Sequence, residues 1–119
     1  MTREQGIVPK GWGHEEIWAT NDHYCGKLLS FRKGSECSMH FHLVKHETWR
    51  VMSGVFVVRW IDTHSAITHE HALRQGDTWT NTPGMPHQLT CLESGVILEV
   101  STPDSVEDNY RIAPGDSQR

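Results

Sequence analysis

Apolar residues recur at every second position over short runs of the chain, and no long window holds them at the three-and-four spacing of an amphipathic helix. Glycines and prolines interrupt the pattern roughly every 10 to 20 residues. It predicts strands near residues 25–33, 37–44, 47–53, 55–62, 70–75, 78–82, 87–93 and 95–101. Turns are expected at Gly34, Ser53-Gly54, Gly76-Asp77, Pro83-Gly84 and Ser94-Gly95. Many short strands at regular spacing make an all-β sandwich or barrel, and the jelly roll is one solution for eight strands. Residues 1–23 and 102–119, with Pro9, Pro103 and Pro114 among polar residues, read as arms packing on one barrel domain that spans residues 1–119.

Composition narrows the function classes. A chain of 119 residues and 13.6 kDa fits one domain. The net charge of -4, with no basic run, argues against a nucleic-acid-binding face. Its longest apolar stretches, such as Val55–Val58, fall far short of a membrane span, and Met1-Thr2-Arg3-Glu4-Gln5 leads into no apolar signal segment. The expectation is therefore a soluble cytoplasmic chain with no nucleic-acid or membrane partner. Cys25, Cys37 and Cys91 are odd in number and lack metal-type spacing, which fits reduced thiols. Nine histidines are the unusual feature, because neutral imidazole is the commonest side-chain metal ligand.

The histidines concentrate the chemistry in two segments. On a strand, residues two apart share a face, so His40 and His42 project together. Glu47 opens the next predicted strand, where an antiparallel return sets its carboxylate beside that pair. His87 begins a strand after the loop from Gly76 to Pro86 and offers a fourth ligand. Three imidazoles and a carboxylate suit one divalent ion of Fe, Mn, Ni, Co or Zn, and leave coordination positions open on an octahedral metal.

These residues resemble the two motifs of the cupin superfamily. Gly34, His40, His42, Glu47 and Gly54 match the first with every gap kept; Gly76, Gly84 and His87 match the second, with Thr82 at the usual proline and Cys91 at a position often held by asparagine. The resemblance implies a cupin jelly-roll barrel, a double-stranded β-helix, with His40, His42, Glu47 and His87 as metal ligands. The flanks resemble the small type II phosphomannose isomerase-like cupins, through Trp12-Gly13-His14-Glu15-Glu16-Ile17-Trp18, Glu99-Val100-Ser101-Thr102-Pro103 and Glu107-Asp108-Asn109-Tyr110. His40 departs from those proteins, which usually carry glutamine there, and Arg111 follows Tyr110 with no intervening glycine.

Other positions follow from alternation. Trp49 and Val51 share the Glu47 face, so they are expected along the same cavity, either as core or as a wall for a sugar's apolar face. Glu99 interrupts the apolar run Val96-Ile97-Leu98-Glu99-Val100; it is either a carboxylate at a barrel mouth or a proton-transfer group. His46 falls on the opposite face from Glu47, which predicts a surface position. His64, His69 and His71 read either as a second ligand cluster or as a solvated strand edge. Met39, Phe41 and Leu43 lie opposite the histidines, so the amino-terminal arm or a second subunit should cover them, and a homodimer is expected.

The isomerase resemblance implies a metal-dependent isomerase or epimerase of a small sugar or sugar phosphate, with Glu47 or Glu99 as the catalytic base and Trp49 and Val51 against the substrate. Two alternatives use the same residues: a non-haem iron dioxygenase, and a carbohydrate-binding cupin that performs no reaction.

Overall fold

The structure, a computed structural model, describes residues 4–119. Its strands are β1 (Gly6–Lys10), β2 (Gly13–Thr20), β3 (Cys25–Phe31), β4 (Met39–Phe41), β5 (Glu47–Asp62), β6 (Ile67–Arg74), β7 (Thr78–Asn81), β8 (His87–Ser101) and β9 (Tyr110–Ala113). A 3-10 turn follows at Asp116–Gln118. Among the described residues no helix is long and apolar enough to cross a membrane.

Two strands, β5 and β8, run through both layers of the barrel. The first half of β5 pairs with the second half of β8 from Glu47↔Ser101 to Val51↔Ile97, and its second half pairs with the first half of β8 from Phe56↔Cys91 to Trp60↔His87. In one layer this ribbon is flanked by β7 on one edge and by β3, β2 and β1 on the other. In the other layer it is flanked by β6 and by β4, which carries β9. All neighbouring pairs are antiparallel, and the result is the jelly roll.

The inward faces of the two layers meet in one apolar cluster. Leu29, Phe31, Trp49, Val51 and Ile97 come from the first, and Phe56, Val58, Leu73, Leu89 and Cys91 from the second. Trp12 stacks on Phe31 at 4.0 Å, and Phe31 meets Phe56 edge-on at 5.5 Å, which joins the layers through aromatic packing.

Ser53-Gly54 and Ser94-Gly95 do not form the expected turns. They are bulged corners inside continuous strands, with register shifts between Val51 and Phe56. A bulge increases local twist, and here it carries the ribbon from one layer to the other. Gly54 adopts φ +85°, and a Cβ there would lie 2.6 Å from the Glu93 carbonyl oxygen and 2.7 Å from the Gly95 Cα. The predicted strand 37–44 contracts to β4, and the predicted strand 70–75 begins at Ile67. Residues 6–20, inside the segment read as an amino-terminal arm, form two strands of the first layer.

The apolar residues expected to seek an outside cover find much of it within the chain. Met39 is buried, and Phe41 stacks on Tyr110 at 5.2 Å because β9 pairs with β4. Leu43 is exposed. The carboxyl-terminal strand thus supplies the cover that was expected from the amino-terminal arm or a partner.

Replacing Gly54 with Ala is expected to keep the β circular-dichroism spectrum and to lower stability by about 1–3 kcal/mol in urea unfolding, the usual cost of a forced backbone conformation. An unchanged midpoint would mean that the corner tolerates a side chain.

Candidate metal centre and cavity

Strand pairing brings the three histidines together. His40 on β4 is the direct partner of His87 on β8, so both rings emerge on the same face. His42, two residues along, joins them: ring centroids are 4.6 Å apart for His40 and His87, 5.1 Å for His40 and His42, and 5.8 Å for His42 and His87. One ring nitrogen from each lies within 4.8 Å of the others.

Backbone carbonyls decide which nitrogen is available. Nδ1 of His40 donates to the Ser38 carbonyl at 2.8 Å, Nδ1 of His42 to the Asp108 carbonyl at 2.5 Å, and Nδ1 of His87 to the Met85 carbonyl at 3.0 Å. A carbonyl only accepts, so each Nδ1 carries the proton and each Nε2 remains for a ligand. Burial pushes the His40 ring down to about 3, helped by repulsion from His87 and His42, and burial also lowers His42. Both rings are therefore neutral near pH 7, the form that ligates metal.

Glu47 completes the arrangement. Its Oε1 accepts from the Asn81 side-chain amide at 3.1 Å, and Asn81 in turn accepts from the Trp79 indole at 2.8 Å. Its Oε2 meets the Lys45 ammonium at 3.0 Å. Burial alone would raise the Glu47 carboxyl, but the Lys45 ammonium is the largest opposing influence, and the group is held well below the usual range. Oε1 also stands 3.0 Å from His87 Nε2, yet that buried nitrogen makes no hydrogen bond. A lone pair aimed at a carboxylate in a buried site is costly unless a proton or cation lies between them. The donor set therefore fits a divalent cation.

Lys45 and Lys27 extend the site into a buried ionic chain. The Lys45 ammonium lies 3.0 Å from Glu47, 3.0 Å from Glu99 and 3.2 Å from Asp104. Lys27 meets Asp104 at 2.6 Å and Glu15 at 3.6 Å. Four carboxylates thus face two ammonium groups. With all of them ionised two negative charges remain, the number a divalent ion at the histidines would balance. Glu99 differs from the others: burial raises its carboxyl, and the adjacent Glu47 raises it further, against the pull of Lys45 and Lys27. The Trp49 indole donates to Glu99 at 3.1 Å.

These groups line a cavity of about 430 Å³, within the size range of small-molecule sites. His40, His42, Glu47, Trp49 and Glu99 all border it. Val51 does not: it is buried in the apolar cluster, because two residues along β5 from Trp49 the strand has already entered the core. His46 is exposed, as alternation predicts. His64, His69 and His71 are also exposed, and His69 and His71 stack on Trp60 and Trp79 instead of converging with a third ligand among the described residues.

Lys45, Lys27 and Asp104 are site residues that motif reading leaves out. Lys27 carried a signal, since it alternates with Cys25, Leu29 and Phe31 on the buried face of β3. Asp108 stands in the Glu107–Tyr110 motif, which gave it no role; its carboxylate caps the turn after β4 by accepting from the backbone N–H groups of Leu43 at 2.7 Å and Lys45 at 2.9 Å, while its own carbonyl holds His42.

Asp104→Ala is expected to destabilise the protein by about 3–5 kcal/mol in urea unfolding, since it strips two buried ammonium groups of a shared counterion. Burial raises the Asp104 carboxyl, but Lys45 and Lys27 hold it below its ordinary value. Its contribution is therefore complete above the unfolded pKa, about 4, and is lost as pH falls through the lower folded value. The acid limb of the stability curve should flatten in the variant. Asp108→Ala removes the carboxylate cap of the turn after β4 and so loosens the segment whose backbone carbonyl holds His42; metal affinity, measured by competition with a chelating dye, should fall toward the roughly 10-fold lower end of the effect of disturbing a ligand's orienting partner. Unchanged affinity would show that the carbonyl holds His42 without the cap.

No family model matches the sequence, and no curated protein sequence matches it. Solved structures do. An oxalate decarboxylase from Bacillus subtilis superposes with a TM-score of 0.78 at 17% identity, over 92% of this chain and 30% of that one. The capsular polysaccharide assembling protein CapF from Staphylococcus aureus gives 0.77 at 15%, over 94% and 33%. KdgF from Halomonas sp. gives 0.69 at 18%, over 90% of this chain and 89% of that one. The chain spans about a third of the length of the first two. At these identities the likeness shows the fold alone, a jelly-roll barrel shared with these structures.

Proposed function

We propose that the protein is a metal-dependent isomerase or epimerase of a small sugar or sugar phosphate. The observation that carries the reading is Glu99: a second carboxyl inside the cavity that His40, His42 and Glu47 border, with its proton affinity raised. His40, His42 and His87, with Glu47, would hold the ion. Once bound, it would supply Lewis-acid polarisation of the substrate carbonyl and stabilise the adjacent developing negative charge.

The chain's own residues supply the rest. Glu47 belongs to the donor set and is held well below the usual carboxylate range, which makes it a poor base and leaves Glu99, whose carboxyl is raised, as the base. Its carboxylate takes the proton from the carbon beside the carbonyl, and the C–H electron pair becomes the enediolate double bond. The carbonyl π pair moves to its oxygen, and the Glu99 carboxyl, whose proton exchanges with solvent, protonates the neighbouring carbon while the hydroxyl proton passes from one oxygen to the other, which completes the aldose–ketose exchange; protonation of the first carbon on its other face gives the epimer. Lys45 and the Trp49 indole fix the orientation of Glu99. Trp49 and Trp12 present aromatic wall to the cavity, a surface suited to the apolar face of a sugar ring.

The test is metal analysis of the purified protein, followed by an anaerobic product screen on aldoses and aldose phosphates in deuterated water. A ketose or epimer carrying solvent deuterium is the expected product. Glu99→Gln should keep its metal and fold and lose roughly 100-fold or more in turnover, as removal of a positioned base does. Full activity of that variant would exclude Glu99.

The three-imidazole set also suits a non-haem iron dioxygenase. Oxygen uptake by iron-loaded protein, with no anaerobic product, would replace the isomerase by that reading. Tight sugar binding without any product would make the protein a carbohydrate-binding cupin.

A further inference from the structure

Alternation along the first layer sends Glu15, Leu29, Trp49 and Glu99 into the barrel, so their chain neighbours Glu16, Leu28, Arg50 and Leu98 stand on its outer face. These four form one straight row across β2, β3, β8 and β5: Glu16 pairs with Leu28, Leu28 with Leu98, and Leu98 with Arg50. The adjacent row is apolar as well. Val100 pairs with Gly26, and the Trp18 ring lies over Gly26, where a Cβ would come within 2.5 Å of it. Trp18 is 44% exposed and Val100 50% exposed, and Ile7, beside Glu16 on β1, and Met52, two residues along β5 from Arg50, extend the apolar surface to both sides. Among the described residues neither Glu16 nor Arg50 makes a side-chain hydrogen bond or an ion pair.

We propose that this face is the contact surface for a second copy of the chain, packed sheet on sheet about a two-fold axis parallel to the strands. Charge placement selects both the occupant and the axis. Neighbouring strands lie about 4.8 Å apart, so Glu16 and Arg50 stand roughly 14 Å from each other, at equal distances from the midpoint between Leu28 and Leu98. They are too far apart to pair within one chain. A two-fold axis along the strands, passing over that midpoint, sets each Glu16 opposite Arg50 of the partner subunit and each Leu28 opposite Leu98 of the partner subunit, and brings Val100 onto the partner's Trp18. An axis across the strands would instead put Glu16 against Glu16 and Arg50 against Arg50. A closed dimer needs a self-complementary surface of the first kind, and aligned sheets stack at about 10 Å, close enough for these side chains to meet. The contact is distinct from the Met39 and Phe41 side of β4, which β9 already covers. A stable dimer needs about 600 Å² from each copy, roughly a tenth of this chain's 6487 Å² of accessible surface, and one face of a body measuring 34 × 31 × 29 Å supplies it.

The test is sedimentation equilibrium of the purified protein at micromolar concentration, with the circular-dichroism spectrum of each variant as the control for folding. The wild type should weigh twice the 13.6 kDa of one chain. Leu98→Lys should be monomeric with an unchanged spectrum; if it fails to fold, the exposed charge reversals decide alone. Glu16→Arg and Arg50→Glu should each weaken dimerisation about tenfold or more at low salt, because each sets like charges opposite one another at two places in the interface. Added salt should narrow that difference. The double variant Glu16→Arg/Arg50→Glu should recover the wild-type dissociation constant to within about threefold. Such recovery identifies a contact between copies, since the two side chains cannot reach each other in one. A monomeric wild type would overturn the inference and leave the face to a different protein partner. A dimer that both charge reversals leave unchanged would overturn it by placing the interface elsewhere, and a double variant as weak as the single ones would overturn the two-fold packing along the strands.

Discussion

Lys45 brings its ammonium into the barrel and meets three carboxylates there, each from a different part of the chain: Glu47 at the start of β5, Glu99 near the end of β8, and Asp104 beyond it. An ammonium taken from water costs several kcal/mol, and only close, multiple pairing recovers it. The turn after β4, the β5–β8 ribbon and the carboxyl-terminal segment are therefore obliged to meet at one point. The same meeting brings His42, Glu47 and Glu99 to a common cavity.

A buried ionic chain contributes little net stability compared with apolar packing of similar volume. Its consequence here is directional. The carboxylates outnumber the ammonium groups, so the interior favours a cation among the histidines. Lys45, by satisfying part of the negative charge, keeps Glu47 ionised, while burial and then the crowding against Glu47 raise Glu99. Two glutamates on neighbouring strands thereby acquire opposite shifts in proton affinity.

The carboxyl-terminal segment ties fold to site. Its β9 pairs with β4, the shortest part of the second layer, and covers the apolar side of that strand. Within it, Asp104 neutralises two lysines, Asp108 fixes both the turn and His42, and Arg111 stands beside His40. A segment with few apolar residues is thus held by polar contacts, and these contacts orient the histidine cluster.

The sequence by itself determined the all-β class, most strand positions, and the set His40, His42, Glu47 and His87, because period-two alternation and fixed glycine spacing are local properties. It also placed Trp49 on the face of Glu47, and left Glu99 between a barrel mouth and a proton-transfer role. Alternation reports which face a residue takes, but not how far along the barrel it lies; hence Val51, on the same face as Trp49, enters the core while Trp49 borders the cavity. Nor does it distinguish a glycine that ends a strand from one that bends it, which is why Gly54 and Gly95 read as turns and act as corners. Only the tertiary structure decided the roles of Lys27, Lys45, Asp104 and Asp108. Their partners lie far away in the chain, and a charge's function depends on the counter-charge and the burial it meets, neither of which is written in its neighbours.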